Sequence, residues 1–237
     1  MITDFHSHIM PGIDDGSRST EESLQLLGME AEQGITRVIA TPHFYANHDN
    51  PDRFLARRAA AEARLREAMA SRSDLPQVMT GAEVHYFHGM SDSAILSQLT
   101  IGQKGCILIE MPPSPWTPQM YRELEWIYAK QGLVPVIAHV DRYIRPLRTH
   151  GIDRRLEELP VMVQANASFF LHAGTAGFAM KLLRQDKIHL LGSDCHNLTD
   201  RAPNLEEALH RILRKLGDEA LKKIRFHERE LLGEEEK

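Results

Sequence analysis

Short apolar runs alternate with amphipathic stretches along this chain, and six of the seven runs end on an imidazole or a carboxylate or meet one within the next two residues. The runs are Ile2–His6, Arg37–Thr41, Gln77–Glu83, Cys106–Glu110, Val134–His139, Val161–Asn166 and Ile188–Ser193. Strand-length apolar runs separated by helical periodicity are the signature of parallel β/α units. Between them, Ser19 with Glu22 predicts a capping box opening a helix that Gly34 closes. Asn50 predicts a cap for a helix from Pro51 to Ser71, and Thr117-Pro118 opens one that ends at Gly132. Further helices are expected over Thr175–Gln185, Pro203–Leu216 and Asp218–Leu232. Met111–Pro118, with four prolines in eight residues, reads as a rigid loop beside a strand end. No repeat or linker divides the 237 residues, so one domain, 1–237, is expected.

Parallel strands wound into a barrel present their carboxyl ends on one side, where sites are assembled. His6 and His8 close the first run, His43 follows the second, Glu83 ends the third, Glu110 the fourth, and His139 the fifth. Asp194 and His196 follow the last. One His-x-His or one terminal carboxylate is weak evidence, since carboxylates also cap helices and Asp14-Asp15-Gly16 reads locally as a turn. The recurrence on strand after strand is not weak, because crowded imidazoles and carboxylates are costly unless paired or metallated. Without a thiolate cluster the mixed ligands suit manganese, iron or zinc and do not choose among them.

Composition removes other classes. The net charge is −5 and acidic and basic residues are mixed, which argues against nucleic acid as the partner. No apolar stretch approaches the roughly 20 residues that span a bilayer, and Met1-Ile2-Thr3-Asp4 lacks the form of a signal peptide. Two cysteines, Cys106 and Cys195, make no disulfide framework, so a cytoplasmic location is expected. Of 13 histidines, His48, His150, His172, His210 and His227 are given no role. Glu234-Glu235-Glu236-Lys237 reads as a frayed, solvated tail.

His6-Ser7-His8, Asp14-Asp15-Gly16, Thr41-Pro42-His43, Gly81-Ala82-Glu83, Ala138-His139-Val140-Asp141-Arg142-Tyr143 and Ser193-Asp194-Cys195-His196 together resemble the PHP (polymerase and histidinol phosphatase) superfamily. Within it the chain is most similar to the bacterial manganese-dependent protein-tyrosine phosphatases of capsule and exopolysaccharide synthesis. The resemblance implies a distorted seven-stranded (β/α)7 TIM-like barrel with three divalent metal ions, manganese first and iron or zinc as alternatives. It places one ion on His6, His8, Glu83 and Asp194, a second on Glu83, Glu110 and His139, and a third on Asp15, His43 and His196. It also implies a phosphotyrosine protein as substrate, such as a bacterial tyrosine kinase. Asp141 departs from the glutamate the family carries there, with little effect expected because it is not a ligand. His85 and His88 lie outside the pattern and are expected to shape the pocket rim.

Three divalent ions outweigh the carboxylates of Asp15, Glu83, Glu110 and Asp194, so the pocket favours a phosphate dianion attacked by metal-bound hydroxide. Arg142 and Arg201, after two strand ends, are the candidates for gripping its oxygens, with Asp194 counted in the catalytic set beside them. Cys195 to Arg201 also fits Cys-x5-Arg, the spacing of thiolate phosphatases, but the loop has no glycine and contains Asp200. Two rival readings share the metal site: a phosphatase of a small metabolite such as histidinol phosphate, and a non-catalytic metal-stabilised binding module. Met111–Pro118 with Trp116, and Phe44–Asn50, are the expected pocket walls.

Overall fold

The computed structural model describes residues 2–102, 105–144 and 151–234. His150 and the last three tail residues therefore lie outside the described residues. In chain order the elements are β1 (Thr3–Ser7), α1 (Thr20–Glu32), β2 (Arg37–Ala40), β3 (His43–Phe44), α2 (Pro51–Met69), β4 (Gln77–Thr80), β5 (Glu83–His85), β6 (Cys106–Glu110), α3 (Pro118–Gln131), β7 (Val134–Ile137), α4 (Asp141–Ile144), α5 (Ile152–Glu157), β8 (Met162–Asn166), α6 (Ala167–Leu171), α7 (Ala176–Arg184), β9 (Leu190–Gly192), α8 (Leu205–Leu216) and α9 (Asp218–Leu232). All the strand ladders are parallel. They form a three-stranded sheet, β1-β2-β4, and a six-stranded sheet, β3-β5-β6-β7-β8-β9. A bridge between Ser7 and Cys195 joins the end of β1 to the segment after β9, and the sheets curl around a common interior.

The third expected strand is broken, because Gly81 and Ala82 interrupt Gln77–Glu83 and leave β4 and β5 on different sheets. The turn at Thr41-Pro42 does the same between β2 and β3, since proline cannot donate to a ladder. The expected capping box at α1 is half formed. Ser19 Oγ accepts from the Glu22 amide, but the Glu22 carboxylate turns back to the Arg18 amide and guanidinium. Asn50 and Thr117 cap α2 and α3 as expected, and Gly132 closes α3 with φ 67°.

Alternation along the strands sorts the core into two layers. Phe5, Ile39, Cys106, Leu108, Val136 and Leu190 face inward with Leu231 and Leu232 of α9, while a larger cluster fills the space between strands and helices. In β1 the register slips between Asp4 and Ser7, where three residue steps oppose two on β2. Side chains at i and i+1 normally face opposite ways. This bulge lets Phe5 join the inner apolar cluster while His6 also reaches the site. Gly192 faces the same spot, and a Cβ there would stand 2.6 Å from the His6 Cβ.

Candidate metal centre

All nine proposed ligands meet at the carboxyl ends of the strands. Glu83 is the hub. Its Oε2 lies 3.1 Å from His6 Nε2, 3.3 Å from His8 Nε2 and 3.1 Å from His43 Nδ1, and its Oε1 lies 2.7 Å from His139 Nε2. Asp194 Oδ1 stands 3.6 Å from His6 Nε2 and 3.5 Å from His8 Nε2. Glu110 Oε1 is 3.6 Å from His139 Nε2. Asp15, exposed on its loop, places Oδ1 3.6 Å from both His43 Nε2 and His196 Nε2.

Hydrogen bonds on the far side of each ring decide which nitrogen faces the cluster. His8 Nδ1 meets Asp14 Oδ2 at 2.9 Å, His6 Nδ1 meets Gln164 Oε1 at 3.3 Å, and His196 Nδ1 meets the Asp194 carbonyl at 2.9 Å. All three partners are acceptors, so the Nδ1 atoms carry protons, and each ring in its neutral form turns an Nε2 lone pair inward. The Gln164 oxygen is fixed in that sense, because it also accepts from the His139 amide while its Nε2 donates to Asn166. His6 Nε2 and His8 Nε2 are thus two lone pairs 3.1 Å apart, beside two carboxylates. His196 Nε2 and His43 Nδ1 are buried with no hydrogen-bond partner. Converging nitrogens of this kind, two of them orphaned, fit cations. His8, Asp15, His43 and His196 can place one ligand atom each within 4.8 Å of one another, as can His6, His8 and Asp194, and likewise His43, Glu83 and Glu110.

The ionisation pattern agrees. Burial alone would raise Glu83 and Asp194, yet the surrounding imidazoles hold both well below the usual carboxylate range. Burial is opposed in the same way at His8, which Asp14, Asp194 and Glu83 draw well above the ordinary imidazole value. A proton there occupies the place a cation would take. Burial lowers His196 to about 4 and, with it, keeps the ring neutral. His139 and Asp194 also adopt positive φ, 31° and 56°, uncommon for residues with a Cβ and concentrated at functional sites.

Both arginines reach this mouth. Arg142 Nη2 donates to Asp194 Oδ2 at 2.6 Å and Arg201 Nη2 to Asp194 Oδ1 at 2.8 Å, and each side chain remains about two-fifths exposed. The thiol reading fails on geometry. Cys195 is fully buried, and burial, with Glu30 and Asp4 nearby, pushes its thiol well above the ordinary value. In the loop after it, the amides of Thr199 and Arg201 are spent on Asn197 Oδ1.

Several residues at the site escape a sequence reading. Asp14, read as a turn residue, orients His8 and also accepts from the His43 amide. Tyr143 sets its hydroxyl 3.3 Å from His139 Nδ1. Gln164 and Asn166 form a polar i, i+2 pair ending β8, the same pattern as His6 and His8, and that spacing could have flagged them. Asp141 accepts from the Asn166 amide, which ties α4 to β8. Beneath the cluster, Asp4 accepts from the His6 and Ser193 amides and from Ser193 Oγ, pinning together the two strand ends that carry ligands.

One expected wall needs correction: Trp116 of Met111–Pro118 is buried against Tyr121 and Tyr143. Within Phe44–Asn50, Phe44 packs on Phe54 in the core, whereas Tyr45 to His48 do line a cavity beside the cluster. Apolar rings of that size pack into the core when a neighbouring aromatic cluster is available. His85 does stand at the rim, 3.1 Å from Glu110 Oε2, whereas His88 turns outward to Glu123.

The profile of the family described as capsular polysaccharide synthesis, CpsB/CapC, matches residues 2–232. This chain belongs to the CpsB/CapC family. Among its relatives, the tyrosine-protein phosphatase YwqE of Bacillus subtilis is 28% identical over 229 residues, covering 92% of this chain and 86% of YwqE. The tyrosine-protein phosphatase CpsB of Streptococcus pneumoniae is 27% identical over 236 residues, 94% of each chain. A crystal structure from work on YwqE and CpsB, described there as unique metal-dependent tyrosine phosphatases, superposes with a TM-score of 0.85 at 24% identity. It covers 99% of this CpsB/CapC chain and 96% of the other, and so establishes a shared α/β fold. No helix among the described residues is long and apolar enough to cross a membrane.

Proposed function

We propose that this CpsB/CapC chain is a metal-dependent tyrosine-protein phosphatase of capsule or exopolysaccharide synthesis, acting in the cytoplasm on a phosphotyrosine protein such as a bacterial tyrosine kinase. The observation that carries the reading is the pair of inward Nε2 lone pairs on His6 and His8, set between Glu83 and Asp194. The names of YwqE and CpsB supply the substrate class. In this reading His6, His8, Glu83 and Asp194 hold one divalent ion, Glu83, Glu110 and His139 a second, and Asp15, His43 and His196 a third, with manganese first. Bound there, the ions supply the charge that acidifies water and neutralises phosphoryl oxygens.

The chain's own groups do the rest. Glu83 is shared between two sets, so it fixes their spacing. Arg142 and Arg201 swing from Asp194 to the non-bridging oxygens, where a planar guanidinium pairs in bidentate geometry. Asp14, Gln164 and Tyr143 keep the rings aimed. A phenol leaving group with a pKa of about 10 departs as phenolate without a strong general acid. The reading also takes the strands as one distorted seven-stave barrel in a single domain, with β2–β3 and β4–β5 as kinked staves and the Ser7–Cys195 bridge as closure.

The test is turnover by chelated and manganese-reconstituted protein on phosphotyrosine peptides, phosphoserine peptides and histidinol phosphate, with Cys195→Ser alongside. Chelation should abolish phosphotyrosine hydrolysis, manganese should restore it, and the serine variant should retain it. Preference for histidinol phosphate would overturn the substrate assignment. No turnover on any arm would leave a metal-stabilised binding module, and a trapped phosphocysteine would move the chemistry to Cys195.

A further inference from the structure

Beside the metal cluster lies a cavity of about 410 Å³ whose walls include Tyr45, Ala46, His85, Tyr86 and Phe87. Its size falls in the range of roughly 300–1,000 Å³ typical of small-ligand sites. Adjacent strand ends build it. β3 and β5 pair in register, His43 opposite Glu83 and Phe44 opposite Val84. Tyr45 follows the ligand His43 by two residues, and His85 follows the ligand Glu83 by two. Along an extended chain, residues i and i+2 share a face, roughly 6.6 Å apart. Tyr45 and His85 therefore stand one step outward from the cluster, on the same side. Their ring centroids are 5.5 Å apart, and Tyr45 lies 5.2 Å from His43.

The walls are held in place. Asp49 accepts from the Tyr45 amide and from Arg57, while the His48 and Asp49 amides donate to the Tyr45 carbonyl. Across the cavity the Tyr86 amide donates to the Glu110 carbonyl, and His85 Nδ1 meets the Glu110 carboxylate. No lysine, arginine or carboxylate is among the lining residues. An anionic group would meet only the imidazoles of His48 and His85, the latter already paired with Glu110, whereas a flat aromatic group would find rings on two sides.

We propose that this cavity is the aryl subsite of the enzyme, receiving the tyrosyl ring while its phosphate occupies the metal cluster. The inference rests on the phosphatase reading above and makes Tyr45, with Phe87, the determinant of aryl over alkyl phosphoesters. An alkyl phosphoester such as phosphoserine reaches the cluster but leaves the aromatic walls uncovered.

Non-hydrolysable probes separate the two readings. Binding of phenylphosphonate and methylphosphonate to manganese-reconstituted protein is measured by calorimetry, with Tyr45→Leu, Tyr45→Phe and Phe87→Ala. The wild type should prefer phenylphosphonate by about tenfold, from burial and ring contact. Tyr45→Leu and Phe87→Ala should each cut that preference to about threefold or less, Tyr45→Phe should keep it, and methylphosphonate affinity should stay constant throughout. Thermal melts confirm that each variant is folded, and either of the two cavity variants alone suffices. Absence of a phenyl preference, or a preference untouched by both substitutions, overturns the subsite while leaving the phosphoryl site standing. Failure of both phosphonates to bind would instead sink the phosphatase reading on which the subsite depends.

Discussion

Glu83 and Glu228 are both buried carboxylates, one at the carboxyl-end rim of the strands and one beside the starts of β1 and β2, and their surroundings drive them in opposite directions. Glu228, on α9, reaches Thr3 at the start of β1 and faces Arg37 at the start of β2. Burial wins there and lifts its carboxyl to about 8, despite Thr3 and Arg37. Glu83 sits past the other end of the sheet, among four imidazoles, and is held well below the usual range although it is equally buried. Glu30, beside Asp4 midway between them, follows the Glu228 pattern and is pushed well up by burial and then by Asp4. Depth alone thus says little about what a carboxylate does. A ring of neutralisable nitrogens makes a ligand, and their absence makes a protonated structural acid.

The sharpest way to break that comparison is Glu83→Gln. If Glu83 is the shared ligand, turnover should fall to background, and metal analysis should show the loss of about two ions. Full occupancy with normal turnover would make it an ordinary buried acid like Glu228.

Next in size are the arginines above the cluster. Arg142→Ala and Arg201→Ala should each lower kcat/KM by about 10²–10³-fold, the scale for one group stabilising transition-state charge. Metal content should persist, since neither side chain is a ligand. Wild-type kinetics in both variants would reduce them to counterions of Asp194.

The smallest effect belongs to the other end. A carboxyl whose folded pKa is raised binds its proton more tightly when folded, so its stabilisation is complete below the ordinary value of 4.5 and is lost as pH rises through about 8. Glu228→Gln cannot ionise. The fall in Tm between pH 5 and pH 8.5 should therefore shrink by roughly 5 °C in the variant, with turnover unchanged. An identical pH dependence in both proteins would show that Glu228 is already ionised when folded.

The bottom of the molecule was also the less legible end. Glu234, read as part of a solvated tail, pairs with Arg37 and joins the closure beneath the strands. A charge run near a terminus carries no sign of a partner almost 200 positions away. The mouth could be read because its information is local and periodic: apolar strands ending in histidine, glutamate or aspartate place those groups on one rim whatever the helices do. The proposed ligands could accordingly be named one by one, and they lie together.

What the sequence determined by itself was where the strands fall, apart from the breaks at Thr41-Pro42 and Gly81-Ala82, their parallel character and the chemical type of each rim residue, because alternation and strand-end chemistry are written in neighbouring positions. The tertiary structure alone decided which nitrogen of each ring faces inward, because Gln164 reaches His6 from 158 positions away, and the nearer contacts of Asp14 with His8 and of the Asp194 carbonyl with His196 depend on how their loops turn. It also decided that Trp116 belongs to the core while Tyr45 and His85 border an aromatic cavity. All three look alike as aromatic residues in loops or at strand ends, and only packing against a particular neighbour distinguishes a wall from a core side chain.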